Sequence, residues 1–434
     1  KTSMKNIEKM NIAVIGLGYV GLPLAVEFGK KFNVTGFDLD DTRIQELHNG
    51  YDRTNELNDS ELLIIEKIKI TTNKEDISDS DIYIITVPTP VDKNNKPNLK
   101  PIISASEIVG SVLKKNNLVI YESTVFPGCT EEICVPILEK SSRLEYNSEF
   151  FCGYSPERIN PSDRIHTLTT ITKIVSGSSK ETLDTVDMLY QSIIEAGTYR
   201  ASSIKVAEAA KIIENTQRDI NIATINELAL IFDRLNINTD EVLQAASTKW
   251  NFLSFKPGLV GGHCIGVDPY YLTHKAIEVG YHPEIILAGR KINDNMGIFI
   301  AERTISEIVN KNINPINAKV TIMGLAFKEN CPDLRNTKVM TIIERLRDYN
   351  CQIAVTDSCV LKKDAKDNLG IDLIPINDVV SQDALVIAVG HQEYCNYKIE
   401  DWQKMLKPNG VIIDVKSLYK PKMFQNLSFS YWSL

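Results

Sequence analysis

Along this chain, short apolar runs bounded by polar residues alternate with stretches of helical period. Asn11–Ile15 is the first such run. Others follow at Phe32–Phe37, Asp81–Val87, Leu118–Tyr121, Phe150–Cys152 and Ile174–Ser176. Between them, Leu22–Lys31 and Ile102–Lys115 repeat apolar residues at the spacing of one helix face. Strands alternating with helices predict a parallel α/β sheet.

The pattern changes near residue 202. From Ser202 to about Leu235 there is neither Gly nor Pro, which predicts one long helix. At 1.5 Å per residue it would span about 50 Å, a length that suits a spine joining two domains. Asp240–Ser247 predicts a shorter helix, Lys256–Gly266 a Gly-rich loop, and further helices run to about Asn310. A second α/β pattern begins at Lys319, with apolar runs at Val320–Met323, Ile353–Thr356, Leu385–Val389 and Val411–Val415. The expected domains are therefore 1–201 (α/β), 202–312 (helical) and 313–434 (α/β).

Composition narrows the class. The 434 residues exceed what one core can serve, and 43% apolar with 24% charged residues is ordinary for a globular chain. A net charge of −8 without a long basic stretch argues against nucleic acid or an anionic membrane as partner. No apolar run reaches the ~18–20 residues of a membrane helix. Lys1–Met10 lacks an apolar core, so no export signal is expected. The eight cysteines form no CxxC pair and no zinc-like spacing. They are expected to be reduced thiols of a cytoplasmic protein, without a metal site.

Gly16, Gly18 and Gly21 form GxGxxG between a predicted strand and a predicted helix. The first permits a tight turn, the second lets a pyrophosphate approach the backbone, and the third lets helix and strand pack closely. Asp38 ends the next strand. An acid there binds ribose hydroxyls and repels a 2′-phosphate, which favours NAD over NADP. Arg43 lies one turn on, either packed near the adenosine or solvated. Val87-Pro88-Thr89-Pro90 and Glu122-Ser123-Thr124-Val125 follow two further strands, where ligands of such sheets bind. Each also reads as a plain turn.

The loop Pro257–Leu272 carries Cys264 among Gly261, Gly262 and Gly266, ahead of Asp268-Pro269, a helix start. A helix N-terminus stabilises a thiolate, so Cys264 reads either as a nucleophile or as a buried thiol in a Gly-rich turn. Asp268 reads as a helix cap or a base. Lys211 and Asn215, four apart on the long helix, share one face. They pair either as donors to an oxyanion or as a solvated surface.

The ordered motifs Gly16–Gly21, Val87–Pro90, Ser123–Val125, Pro156-Glu157-Arg158, Lys211–Asn215, Gly261-Gly262-His263-Cys264, Asp268 and Gly324–Lys328 through Arg335 together resemble the nucleotide-sugar 6-dehydrogenases, the family of UDP-glucose dehydrogenase. The likeness covers essentially the whole chain. It implies an N-terminal Rossmann NAD-binding domain, a central long-helix domain that dimerises, and a C-terminal Rossmann-like UDP-binding domain.

The resemblance also implies residue roles. Cys264 matches the nucleophile, Lys211 and Asn215 the oxyanion and water-holding pair, and Asp268 an acid assisting proton transfer. Thr124 and Glu157 match groups that position substrate and the catalytic water. Gly16, Gly18, Tyr19, Val20, Gly21, Asp38, Arg43, Thr89, Thr124 and Arg335 fall at cofactor positions. Glu157, Arg158, Lys211, Asn215, Phe255, Gly261, Phe327 and Lys328 fall at substrate positions. Arg290 matches a residue reaching a neighbouring subunit's substrate. The implied reaction is a four-electron oxidation of a C6 alcohol by two NAD through a thiohemiacetal and a thioester, serving surface polysaccharide synthesis.

The loop also bears on the sugar. UDP-glucose members usually carry Gly-Gly-x-Cys-Phe/Leu-Pro-Lys-Asp, whereas this chain has Gly-Gly-His-Cys-Ile-Gly-Val-Asp-Pro-Tyr-Tyr. That is similar to the branch acting on UDP-N-acetylhexosamines. Leu259-Val260 and Gly266 look most like its UDP-GlcNAc and UDP-GalNAc members. UDP-ManNAc and UDP-glucose are the alternatives. Pro161 stands where UDP-glucose members place a second Glu.

Overall fold

The computed structural model describes residues 7–54, 56–92, 94–159, 166–262 and 265–434. The chain divides into two compact units, Lys1–Glu214 with Tyr270–Tyr281, and Asn215–Pro269 with His282–Leu434. The division falls inside the helix Ile204–Leu235, the 32-residue element expected from the Gly- and Pro-free stretch.

The first unit holds β1 (Asn11–Ile15), β2 (Asn33–Phe37), β3 (Lys69–Thr71), β4 (Ile82–Ile85), β5 (Asn117–Tyr121), β6 (Phe150–Tyr154), β7 (Lys173–Gly177) and β8 (Thr198–Arg200). They form one sheet in the order β3-β2-β1-β4-β5-β6-β7-β8. The interior strands are apolar throughout because helices cover both faces: Ile12, Val14, Ile84, Val119 and Ile120 are all fully buried. Leu22, Leu24, Val26 and Phe28 of the helix Gly21–Gly29 pack into the same core.

One pairing departs from the parallel sheet expected. β7 runs antiparallel to β6, with Gly153 opposite Gly177 and Tyr154 opposite Ser176. An antiparallel neighbour needs no crossover helix. The consequence is positional. β7 begins, at Lys173, on the edge where β4, β5 and β6 end. Three residues further along both strands, position 157 stands against position 173.

The second unit holds β9 (Lys319–Met323), β10 (Gln352–Thr356), β11 (Gln382–Ile387), β12 (Leu406–Asp414) and β13 (Ser430–Ser433). Their order is β10-β9-β11-β12-β13, all parallel. One face packs on Met296, Ile300 and Ile308 of the helix Glu284–Asn310 and on Ile342, Ile343 and Leu346 of the helix Val339–Asp348. The other carries an aromatic cluster around Trp402, Tyr394, Tyr419 and Phe424. No described helix is long and apolar enough to cross a membrane.

Candidate active site

The glycine turn of the first unit has the shape the sequence predicts. Gly16 takes φ +94°, and its amide donates to Phe37 O at 2.8 Å. Gly21 opens the helix Gly21–Gly29, and a Cβ there would stand 1.8 Å from Gly16 O, so only glycine fits. A Cβ on Gly18 would meet nothing within 4 Å. Tyr19 and Val20 complete the turn, both half-buried, and Val20, the N-cap, offers no side chain to the helix amides. Space above Gly18 and a helix N-terminus without a side-chain cap suit a pyrophosphate.

Asp38 follows β2 and accepts the Leu17 amide at 2.7 Å and the Asp40 amide at 2.9 Å, while staying partly exposed. Arg43 is not solvated. It is buried, donates from Nε to Leu17 O at 2.8 Å and pairs with Asp52 at 2.8 Å. Its Nη1 makes no hydrogen bond, and Glu46 stands 4.0 Å off. An orphaned guanidinium nitrogen beside the turn and an acid at the ribose position fit NAD.

The two motif loops at the ends of β4 and β5 tie to each other. Ser123 Oγ donates to Val87 O at 2.6 Å, and Thr89 Oγ1 donates to Thr124 O at 2.5 Å. Glu208, on the long helix and fully buried, accepts the amides of Gly128 (2.5 Å) and Thr130 (2.9 Å) and so fixes the chain just beyond Thr124. Burial pushes its carboxyl up to about 7, against those hydrogen bonds.

Glu157 sits in a network that sequence reasoning missed. Its Oε1 accepts the amides of Arg158 (2.6 Å) and Ile159 (2.8 Å), and its Oε2 accepts from Lys173 Nζ at 3.0 Å. Lys173 also donates to Glu122 Oε2 at 2.7 Å, and Tyr190 donates to the other Glu122 oxygen. Lys173 and Glu122 are about 1% exposed. Burial raises the Glu122 pKa, partly offset by the Lys173 charge. Burial works to lower that of Lys173, but the charges of Glu122 and Glu157 outweigh it and raise it. The only sequence signal was a lysine at the head of the apolar run 173–176. Arg158 pairs with Glu214 at 2.8 Å and donates to Thr172 O at 2.8 Å. Lys211 is also buried in this unit.

In the second unit, Asn215 Nδ2 donates to Asp268 Oδ2 at 2.5 Å, both buried. Asp268 is the first residue of the helix Asp268–Glu278 rather than the residue before it. Cys264 and His263 lie outside the described residues, as does Pro161. The glycines ahead of Cys264 are described. Gly262 takes φ +81°, a Cβ on it would come within 2.9 Å of the Phe327 ring, and a Cβ on Gly261 would stand 2.7 Å from Asn336 O. Gly261 and Gly262 thus meet Phe327 and Asn336 within one unit. Lys328 Nζ lies 5.7 Å from the Phe327 ring centre, Arg335 donates from Nε to Asp333 at 3.0 Å, and Phe255 is half-buried.

Arg290 has a setting the resemblance did not imply. It is 1% exposed and pairs with Asp219 and Asp294, each at 2.6 Å, while Asn293 binds the same Asp219. Within this chain its charge is met internally rather than turned outward.

Three domains of one family match in order. The NAD binding domain of the UDP-glucose/GDP-mannose dehydrogenase family matches residues 10–194, its central domain 205–295, and its UDP binding domain 321–421. The chain belongs to the UDP-glucose/GDP-mannose dehydrogenase family. It is 55% identical over 424 residues to protein CapL of Staphylococcus aureus, covering 98% of this chain and 99% of that one. It is 54% identical over 412 residues to UDP-N-acetyl-D-glucosamine 6-dehydrogenase of Pseudomonas aeruginosa, covering 95% and 98%. Among solved structures, UDP-D-ManNAc dehydrogenase of Pyrococcus horikoshii superposes with a TM-score of 0.87 at 29% identity, covering 97% and 99%. The fold is the three-domain architecture of this family, the cofactor is NAD, and the chain is an NAD-dependent nucleotide-sugar dehydrogenase.

Proposed function

We propose that this dehydrogenase oxidises the C6 alcohol of a UDP-N-acetylhexosamine, UDP-GlcNAc and/or UDP-GalNAc, to the uronate, consuming two NAD per sugar and supplying a surface polysaccharide precursor. The observation that carries the reading is the full-length likeness to a UDP-N-acetyl-D-glucosamine 6-dehydrogenase. The loop Leu259–Asp268, with Gly266 where UDP-glucose members have a Pro, agrees with it. We assign residues 1–201 to NAD binding, 202–312 to the helical domain with the Cys loop, and 313–434 to UDP-sugar binding.

Gly16, Gly18, Tyr19, Val20 and Gly21 would hold the pyrophosphate of NAD and Asp38 its ribose, and Arg43, Thr89, Thr124 and Arg335 are also assigned to the cofactor. When bound, NAD takes up one hydride in each oxidation. The chain's own groups do the rest. The first oxidation leaves an aldehyde, to which the Cys264 thiolate adds, giving a thiohemiacetal. The second leaves a thioester on Cys264, and water releases the carboxylate. Lys211 and Asn215 hold the oxygen at the tetrahedral stages, and losing one such donor costs about 10²–10³ in rate. Asp268, hydrogen-bonded to Asn215, takes up or returns the proton at the sugar oxygen. Glu157 and Thr124 position the water. Arg158, Phe255, Gly261, Phe327 and Lys328 seat the UDP-sugar.

A thiolate nucleophile needs a reducing compartment, so we assign the enzyme to the cytoplasm. We also assign a homodimer, supported by the exposed apolar side chains of Ile231, Leu235, Ile237, Trp250, Leu253 and Ile285. We further assign Arg290 to the substrate of a neighbouring subunit.

Purified protein assayed with NAD against UDP-GlcNAc, UDP-GalNAc, UDP-ManNAc and UDP-glucose tests the substrate. Turnover with UDP-GlcNAc or UDP-GalNAc is expected. Turnover confined to UDP-ManNAc or UDP-glucose would sink the assignment.

A further inference from the structure

We infer that Lys173 is a positioning residue for the hydrolytic half of the reaction, holding Glu157 in one orientation at the edge of the sheet. The inference rests on the reading of Glu157 given above.

The geometry leaves Glu157 little freedom. Three donors fix it: two successive backbone amides on Oε1 and the Lys173 ammonium on Oε2. Lys173 in turn has little choice of place. It is the first residue of β7, its side chain is 2% exposed, and a second carboxylate, Glu122 at the end of β5, takes its other side. Tyr190, on the helix Lys180–Gln191, closes the remaining approach, with its ring centre 5.5 Å from Nζ and its hydroxyl on Glu122. The charged groups around the ammonium are thus Glu122, Glu157 and, beyond Glu157, the Arg158–Glu214 pair.

Glu122 immediately precedes Ser123 and Thr124. One ammonium therefore anchors both segments expected to handle water, the Thr124 loop and the Glu157 loop. Because β7 is antiparallel, its first residue reaches the edge at which the other strands end. A parallel β7 would have begun at the opposite edge.

A cation that only bound substrate would not be walled in by two acids and a tyrosine. A cation that only stabilised the fold would affect both oxidations and hydrolysis alike. The distinguishing prediction is a split between them.

The test uses three variants: Lys173→Met, Lys173→Arg and the double variant Lys173→Met/Glu122→Gln. The double variant removes one cation and one anion, so the cluster keeps its formal charge. It guards against misfolding caused by two buried, unpaired carboxylates. NADH formation and uronate release are followed separately in a single turnover with UDP-GlcNAc. Hydroxylamine traps any enzyme-bound thioester.

In Lys173→Met and in the double variant, NADH formation is expected to stay within a few-fold of wild type. Uronate release should slow by about 10²-fold, the scale of a lost general-base contribution, and trapped thioester should accumulate. Lys173→Arg is expected to recover most of the release rate. Proportionate slowing of NADH and uronate in both methionine variants overturns the inference, as does wild-type release in the double variant. Wild-type protein that turns over no UDP-sugar overturns the functional reading and this inference together. Wild-type turnover with proportionate losses overturns this inference alone.

Discussion

At the end of β1, Gly16 takes φ +94° and its amide bonds Phe37 O at 2.8 Å. At the end of β9, Gly324 takes φ +94° and its amide bonds Thr356 O at 2.8 Å. An aspartate comes after each second strand, and each accepts the amide next to the glycine, Asp38 from Leu17 at 2.7 Å and Asp357 from Leu325 at 2.6 Å. The frames are the same. The residues beyond the glycine differ. In the first unit Gly18 opens space and a helix begins at Gly21. In the second, Ala326 is buried where Gly18 would be, and the next helix does not begin until Val339.

The acids differ accordingly. Asp38 stays partly exposed. Asp357 has a fully buried side chain that also accepts from Ala326 (3.0 Å), Cys359 (2.7 Å), Val360 (2.9 Å) and His391 Nε2 (3.1 Å). His391 follows β11 as Thr89 follows β4. Thr89 turns to Thr124 O, whereas His391 turns onto the aspartate. Its Nδ1 faces the Asn330 amide at 3.0 Å and Cys359 Sγ at 3.4 Å. Asp357, Cys359 and His391 lie close enough to suggest a metal site, and His391 engages the acid through Nε2 and the thiol through Nδ1. The two Rossmann turns thus share a frame, and an open glycine, an early helix and an unsealed acid set apart the one to which we assign the dinucleotide.

Substitutions break this comparison in graded ways. Gly21→Ala should have the largest effect. Forcing a Cβ against Gly16 O and Thr86 Oγ1 costs about 3 kcal/mol, so NAD affinity by calorimetry should fall on the order of 100-fold. Asp357→Ala comes next. It strips an acceptor from buried amides and His391, and unfolding stability should drop by about 3 kcal/mol with NAD affinity unchanged. Burial works to raise the Asp357 pKa, but the bond from His391 and the backbone amides bring it to about 2, below the ordinary 3.8. That contribution, about 2 kcal/mol, is therefore whole above pH 4 and lost as pH falls through about 2. The wild-type minus Asp357→Ala stability difference should shrink over that window. Asp38→Ala should be mildest, weakening NAD about tenfold through one lost charged hydrogen bond, with little change in stability. Equal NAD loss in the two aspartate variants would break the comparison.

The open turn was readable because its parts are local: three glycines, a strand, and an acid 22 residues on. The long helix was readable from the missing Gly and Pro. Arg43 was not, because its partner Asp52 sits in an irregular loop. Lys173 was not, because only the reversed direction of β7 brings it to Glu157, and no local pattern encodes strand direction. The seal on Asp357 was hidden for a similar reason, since His391 lies 34 residues further along the chain. The Arg290–Asp219 pair was hidden as well, since its two members lie 71 residues apart on separate helices.

The proposed chemistry turns on Cys264. NADH and uronate counted together in wild type and in Cys264→Ser test it. Wild type should give two NADH per uronate, and the variant, still folded and NAD-binding, should lose net turnover. One NADH per product, or an unaffected steady-state rate in Cys264→Ser, would contradict it.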